Sequence, residues 1–264
     1  MVDIHCHLLP GMDDGPDALE ESLEMARVAL ADGITHIVAT PHASDRFKFL
    51  PELVRQRRDE IQTQIGDRLT LATGCDFHLT FENLEDLRVN PSKYTINGKQ
   101  YLLVEFSSYS LPPFLDETLH QVQLLGLHPI ITHPERNGPL RSNPGRLAAW
   151  AQRGCYVQVT GQSLQGGFGE GAQKWAEALL EMGLVHFVAS DAHNARSRPP
   201  KLRGAYETVR ARHGEEVARA LFVENPRAAF DGHVAHATHQ FAGNDPVQSI
   251  GAVALPDRAN LSIE

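Results

Sequence analysis

Short apolar runs recur along the chain, each followed by a longer stretch with apolar residues at every third or fourth position. The first run, residues 2–5, is long enough only for a brief strand, and Pro10-Gly11 marks the loop after it. Leu19, Leu23, Met25, Ala26 and Leu30 then define a helix, with Asp17 as N-cap, Glu20 three residues on and Gly33 closing it. Residues 35–40 form a β-branched strand ending at Pro41-His42, with His42 opening a loop. Residues 51–65 read as a helix with Arg and Glu on its outer face. Residues 69–72 predict a third strand running out to Gly74-Cys75-Asp76 and on through Phe77 and Leu79, and the polar stretch 82–99 predicts a helical turn and a connection.

The same order continues to the end. Strands are predicted at 101–106, 129–132, 156–160 and 185–189, and helices at 116–125, 144–153 and 170–181, with Gly126, Gly154 and Gly183 as stops. Two further helices, 202–212 and 215–222, precede a short one capped by Asn225-Pro226. From Gly232 periodicity fades, predicting an irregular C-terminal extension over 232–264. Strands that alternate with helices and lack clean polar alternation indicate a parallel sheet covered by helices, and seven such units fit a distorted α/β barrel in a single domain. The 264 residues suffice for one core of that size.

Composition narrows the function. Hydrophobic residues make up 42% and charged residues 22%, as in ordinary globular proteins. The formal charge of −9 argues against a broad nucleic-acid or anionic-membrane surface. No apolar run reaches bilayer length and Met1 leads straight into a strand, so a cytoplasmic protein without membrane insertion is expected. Cys6, Cys75 and Cys155 suggest neither a disulfide framework nor a zinc knuckle. Fourteen histidines are many for this length, and imidazole is the commonest side-chain ligand of transition metals.

Those histidines fall where an α/β barrel gathers its chemistry, at the C-terminal strand ends. His5 and His7, two apart in an extended chain, point the same way. His42, Asp76, Glu105, His133, Asp191 and His193 end other strands, and Asp13-Asp14 add oxygen donors from the first loop. Glu105 closes an apolar run, where a charge is costly unless paired or bound to metal; it is the candidate bridge between ions. Imidazole with carboxylate and no required thiolate suits Mn, Fe, Co or Zn, and so many donors imply two or three ions. Arg136 and Arg198, on the loops after His133 and His193, could offer forked donors to phosphate oxygens.

His5-x-His7, Pro41-His42, Glu105, His133-Pro134-Glu135-Arg136 and Asp191-Ala192-His193-Asn194 resemble the polymerase and histidinol phosphatase (PHP) superfamily. Asp13-Asp14-Gly15, Ala39-Thr40-Pro41-His42 and Glu224-Asn225-Pro226-Arg227 resemble, more narrowly, its bacterial protein tyrosine phosphatases of capsule and exopolysaccharide loci. The resemblance covers about residues 1–231. It implies a distorted, TIM-like (β/α)7 barrel, a trinuclear site usually described with manganese, and hydrolysis of phosphotyrosine on a bacterial tyrosine kinase that controls capsular or exopolysaccharide synthesis. Carried over by position, His5, His7, Asp14, His42, Glu105, His133, Asp191 and His193 are ligands, and Arg136 and Arg198 hold phosphate. Asp76 stands where the family usually carries the longer Glu.

The expected mechanism is in-line attack on phosphorus by a hydroxide shared between ions, with no covalent intermediate. None of the three cysteines has an arginine six positions on, so the Cys-x5-Arg thiolate design is absent. Two other readings use the same residues: a phosphatase of a small phosphate monoester, and a phosphotyrosine-binding protein without turnover.

Overall fold

The computed structural model describes residues 1–236, so the expected C-terminal extension lies outside the described residues from position 237. Seven staves run parallel in chain order around a barrel. The first is β1 (Val2–Cys6). The second breaks at Thr40-Pro41 into β2 (His36–Ala39) and β3 (His42–Ala43), and the third at Gly74-Cys75 into β4 (Thr70–Thr73) and β5 (Asp76–His78). Pro41 has no N–H to give to a ladder. Pairing nonetheless carries across the break, because Gly74 N–H donates to Ala39 O (2.9 Å) and Asp76 N–H to Pro41 O (3.1 Å). His42 therefore sits in a strand paired with Asp76, not at the start of a loop as its neighbour Pro41 suggested.

The remaining staves are β6 (Tyr101–Glu105), β7 (His128–Thr132), β8 (Tyr156–Thr160) and β9 (Phe187–Ala189), each parallel to the one before it. The ring closes just past β9. A bridge pairs Cys6 with Ala192, Asp191 N–H donates to His5 O and His7 N–H to Ala192 O, both at 2.8 Å. Below that point the buried Asp3 carboxylate spans the seam. It accepts from Ser190 N–H (3.0 Å), Ser190 Oγ–H (2.5 Å) and His5 N–H (3.3 Å), while burial raises its pKa to about 6.

Helices cover the staves: α1 (Leu19–Asp32), α2 (Pro51–Ile65), α3 (Phe81–Val89), α4 (Leu115–Leu124), α5 (Gly138–Arg141), α6 (Pro144–Gln152), α7 (Gly161–Leu164), α8 (Gly169–Glu181), α9 (Arg203–His213), α10 (Glu215–Arg219), continued by a π turn, and α11 (Asn225–Asp231). Their apolar faces build the outer core around Met25, Ile61, Leu119, Trp150 and Leu179. A second cluster, Ile4, Val38, Tyr101, Leu103, Ile130 and Phe187, fills the barrel, and Phe230 of α11 joins it. Ile4 belongs to that inner cluster, yet the next residue, His5, also meets inward carboxylates. The register shift between Asp3 and Cys6 re-aims β1 and makes both possible.

Three local expectations fail for identifiable reasons. Asp17 does not cap α1: Ala18 occupies that position, and Asp17 N–H donates instead to the Glu21 carboxylate at 3.0 Å. The polar stretch after residue 80 forms a full nine-residue helix, α3, because Thr80 caps it by accepting from Asn83 N–H at 3.2 Å. β9 begins at Phe187 rather than 185, since His186 places its ring, not only its backbone, against β8: Val157 N–H donates to His186 Nδ1 at 3.2 Å. Among the described residues no helix is long and apolar enough to cross a membrane.

Candidate metal centre

All nine residues expected as ligands meet at the C-terminal end of the barrel. His5 and His7 leave β1, His42 comes from β3, Asp76 from β5 and Glu105 from the end of β6. The first loop folds back through Gly11 N–H to Pro16 O (2.8 Å) and brings Asp14 over them. His133 and Asp191, directly after β7 and close after β9, adopt positive φ of 32° and 50°. Such backbone is uncommon outside glycine and costs of order 1–3 kcal/mol. Here it turns two side chains inward at the point where their strands stop.

The donor atoms keep a characteristic spacing. His5 Nε2 lies 3.3 Å from His7 Nε2, 3.4 Å from Asp76 Oδ2 and 3.5 Å from Asp191 Oδ1. His42 Nε2 and His193 Nε2 each lie 3.4 Å from Asp14 Oδ1, and His133 Nε2 lies 3.4 Å from Glu105 Oε1. His42 Nδ1 is 3.3 Å from Asp76 Oδ2. These separations are long for hydrogen bonds. They match two ligands about 2.1 Å from one ion at angles between octahedral and tetrahedral, which stand roughly 3.0–3.4 Å apart. Both oxygens of the fully buried Asp76 lack a hydrogen-bond partner, a costly state for a carboxylate unless a cation occupies the space it faces. The donors fall into overlapping groups: His5, His7 and Asp76; Asp76, Glu105 and His133; His7, Asp14, His42 and His193. The residues present thus fit more than one divalent ion, despite the short arm of Asp76.

Outer partners fix the imidazoles. His5 Nδ1 bonds Gln158 Oε1 (2.9 Å), His7 Nδ1 bonds Asp13 Oδ2 (2.6 Å) and His193 Nδ1 bonds the Asp191 carbonyl (3.0 Å). Each bond holds a proton on Nδ1 and leaves Nε2 free to ligate. Asp13 also accepts from Gly15 N–H and His42 N–H, both at 3.0 Å, so it ties the first loop to β3.

The electrostatics show a site short of positive charge. Burial pushes the His7 imidazole down, but Asp13 and then Asp191 outweigh it, and its pKa ends well above the ordinary value. His5 is raised likewise by Asp76 and Asp191 against its burial. Burial opposes ionisation of Asp191 and Asp76, yet the surrounding histidines hold both below the usual carboxylate range. Protons on imidazole thus do the work that cations do more completely. His133 differs: burial and the neighbouring Arg136 lower it to about 4, which keeps it neutral and able to ligate.

Arg136 and Arg198 lie on one flank and share a partner. Arg136 Nη1 and Arg198 Nη2 both pair with Asp191 Oδ2, the second at 2.7 Å, while Asp191 Oδ1 faces His5 and His7. Arg198 Nε is buried without a hydrogen-bond partner.

One residue at the site escaped the sequence reading. His78 of β5 stands 2.5 Å from Glu105 Oε2 through Nε2, and with His42 and Glu105 it forms a fourth donor group. It lies two residues from Asp76 in a strand, the same spacing that singled out His5 and His7. Thiolate chemistry is disfavoured as expected. Cys6 and Cys75 are fully buried, and burial with neighbouring carboxylates drives both thiols far above their ordinary pKa; burial pushes Cys155 up to about 12.

Comparison with known proteins agrees with this arrangement. The family model described as capsular polysaccharide synthesis, CpsB/CapC, matches residues 1–231. Tyrosine-protein phosphatase YwqE of Bacillus subtilis (strain 168) is 36% identical over 225 residues, 84% of this chain and 88% of that protein. Tyrosine-protein phosphatase CpsB of Streptococcus pneumoniae is 34% identical over 238 residues, 86% of this chain and 97% of that one. A structure from the work describing YwqE and CpsB as "unique metal-dependent tyrosine phosphatases" superposes with a TM-score of 0.83 at 34% identity, over 89% of this chain and 96% of its own. A lactonase from Listeria monocytogenes, 14% identical with a TM-score of 0.54 over 87% of this chain and 94% of its own, shares the fold alone. With the barrel, its ring of donors and these matches in agreement, the chain belongs to the CpsB/CapC family of capsular polysaccharide synthesis.

Proposed function

We propose that this protein is a metal-dependent phosphatase that hydrolyses phosphotyrosine in proteins. The observation that carries the reading is the 3.3–3.5 Å spacing of inward donors beside two arginines that share Asp191. His5, His7, Asp76 and Asp191 would hold one ion, Asp76, Glu105 and His133 a second, and Asp14, His42 and His193 a third, with manganese favoured over Fe, Co or Zn by the oxygen donors. Bound divalent ions supply the charge that polarises phosphoryl oxygens and acidifies water. Arg136 and Arg198 bind the phosphoryl oxygens from the flank and counter the charge that spreads over them during transfer. His5, His7 and His193, held by Gln158, Asp13 and the Asp191 carbonyl, need no reorientation as the reaction proceeds. The phenol of tyrosine, with pKa near 10, leaves readily for an ester oxygen.

The barrel of residues 1–231 is on this reading the catalytic unit. The substrate is a phosphotyrosine-bearing protein, a bacterial tyrosine kinase of capsule or exopolysaccharide synthesis, met in the cytoplasm. The names of YwqE and CpsB as tyrosine phosphatases support this assignment. The test is phosphate release from a phosphotyrosyl peptide and from small monoesters by metal-stripped protein given back Mn, Fe, Co or Zn. Metal-dependent turnover of the peptide, lost in His42→Ala and lowered about a hundredfold in kcat/KM by Arg136→Ala, is expected. Preference for a small monoester would move the protein to metabolite chemistry, and tight peptide binding without release would leave a binding role.

A further inference from the structure

Phe168 is a large apolar ring that belongs to neither apolar cluster of the barrel. Its ring lies under two cations instead. Arg136 Cζ is 4.3 Å from the ring centroid and Arg198 Cζ is 5.6 Å from it, so one ring serves guanidinium groups from two different loops. The segment that carries Phe168 is shaped to hold it there. Gly166 and Gly169 take φ of 80° and 85°, and a Cβ on Gly167 would come within 2.4 Å of Gln162 Cγ. Gly167 N–H donates to Gln162 O (2.9 Å) and Gly169 N–H to Gly166 O (3.0 Å). The Gln162 amide reaches Ser197 O at 2.9 Å, next to Arg198, so the segments after β8 and β9 are pinned together at this ring.

We propose that Phe168 is a positioning residue for the two arginines, and the inference rests on reading them as phosphate donors. Both guanidinium groups meet Asp191 Oδ2, and each has one further acceptor, the Asp191 carbonyl for Arg198 Nη2 (3.0 Å) and Thr160 Oγ1 for Arg136 Nη1 (3.5 Å), so each is held through a single nitrogen that leaves the plane loosely fixed. A second carboxylate would fix the plane but consume the remaining N–H groups and repel phosphate. An aromatic face attracts a guanidinium through its quadrupole and takes up no donor. Phe168 thus orders the arginines while taking up none of the N–H groups that an anion needs.

The test is calorimetric binding of inorganic phosphate to the metal-loaded protein, read beside KM and kcat for an aryl phosphate. Phe168→Ala and Phe168→Leu should each weaken phosphate binding and raise KM roughly 5- to 20-fold, with melting temperature and metal content unchanged, whereas Phe168→Tyr or Phe168→Trp should stay within about twofold of the parent. In an Arg136→Ala background the cost of Phe168→Ala should fall at least about threefold, because the ring acts through that side chain. Parent-like phosphate affinity in Phe168→Leu would show that only volume matters and would overturn the inference. So would an undiminished loss in the Arg136→Ala background, since the ring would then touch substrate directly. Should Phe168→Ala fail to fold, the Leu and Tyr pair decides alone. Failure of the parent to bind phosphate would sink the phosphatase reading itself, while parent-like binding in every variant would sink only the role of Phe168.

Discussion

The most informative single residue is Asp13, because its carboxylate stands behind a candidate ligand, His7, and is taken up by hydrogen bonds there. Its carboxylate holds the proton on His7 Nδ1 at 2.6 Å and receives the amides of Gly15 and His42. Asp13→Ala should lower affinity for added metal about 10- to 100-fold while the barrel stays folded, measured by competition with a chromophoric chelator. The residue pattern alone offered Asp13 and Asp14 as equal oxygen donors, since adjacent carboxylates differ only in which way a loop turns them, and only the resemblance singled out Asp14. His78 is the opposite case: it falls within the strand predicted through Phe77 and Leu79, two residues from Asp76 and so on the same face, yet no motif of the resemblance contains it. Phe168 could not have been found from the pattern at all, as its partners sit on loops separated from it by about thirty residues.

At the scale of elements, strands and most helices were legible because each apolar run had a clear glycine or proline boundary. What was missed depended on single side chains meeting distant backbone. α5 is held by Asn137 Oδ1 accepting from Leu140 N–H at 3.1 Å, within a stretch whose Gly138-Pro139 reads as a turn. The first loop has a comparable dependence. A Cβ on Gly15 would stand 2.5 Å from His7 O, which is backbone and cannot swing aside. Gly15→Ala should therefore displace Asp13 and Asp14 together. Metal analysis after dialysis should find about one ion fewer per chain, the one proposed for Asp14, His42 and His193, with little change in far-ultraviolet circular dichroism.

For the whole molecule, acid stability has an identifiable contributor far from the metal centre. Burial lowers His186 from the ordinary 6.5 to about 4, and its Nδ1 must stay unprotonated to accept from Val157 N–H. Between those two values the unfolded chain binds the proton and the folded one refuses it. Stability present above pH 6.5 is consequently lost as the pH falls toward 4, by up to ~1.4 kcal/mol per pH unit for this one group. His186→Asn, which keeps an acceptor, should flatten the urea-unfolding free energy across that window by about one proton relative to the parent. Chelation should abolish turnover and thiol alkylation spare it; the reverse result would contradict the reading of buried, inert cysteines. Finally, Asp191 turns one oxygen to His5 and His7 and the other to both arginines, so on the proposed reading the binding of metal and of phosphate would share a single charge. Oδ1 shared with a bound cation would leave Oδ2 a weaker hold on the guanidinium groups. Thermodynamic reciprocity then requires phosphate to tighten the ion by the same factor by which the ion tightens phosphate. Accumulated product would in that way guard the enzyme against losing its metal when metal is scarce, and release of phosphate would be easiest at the moment the protein is most easily stripped.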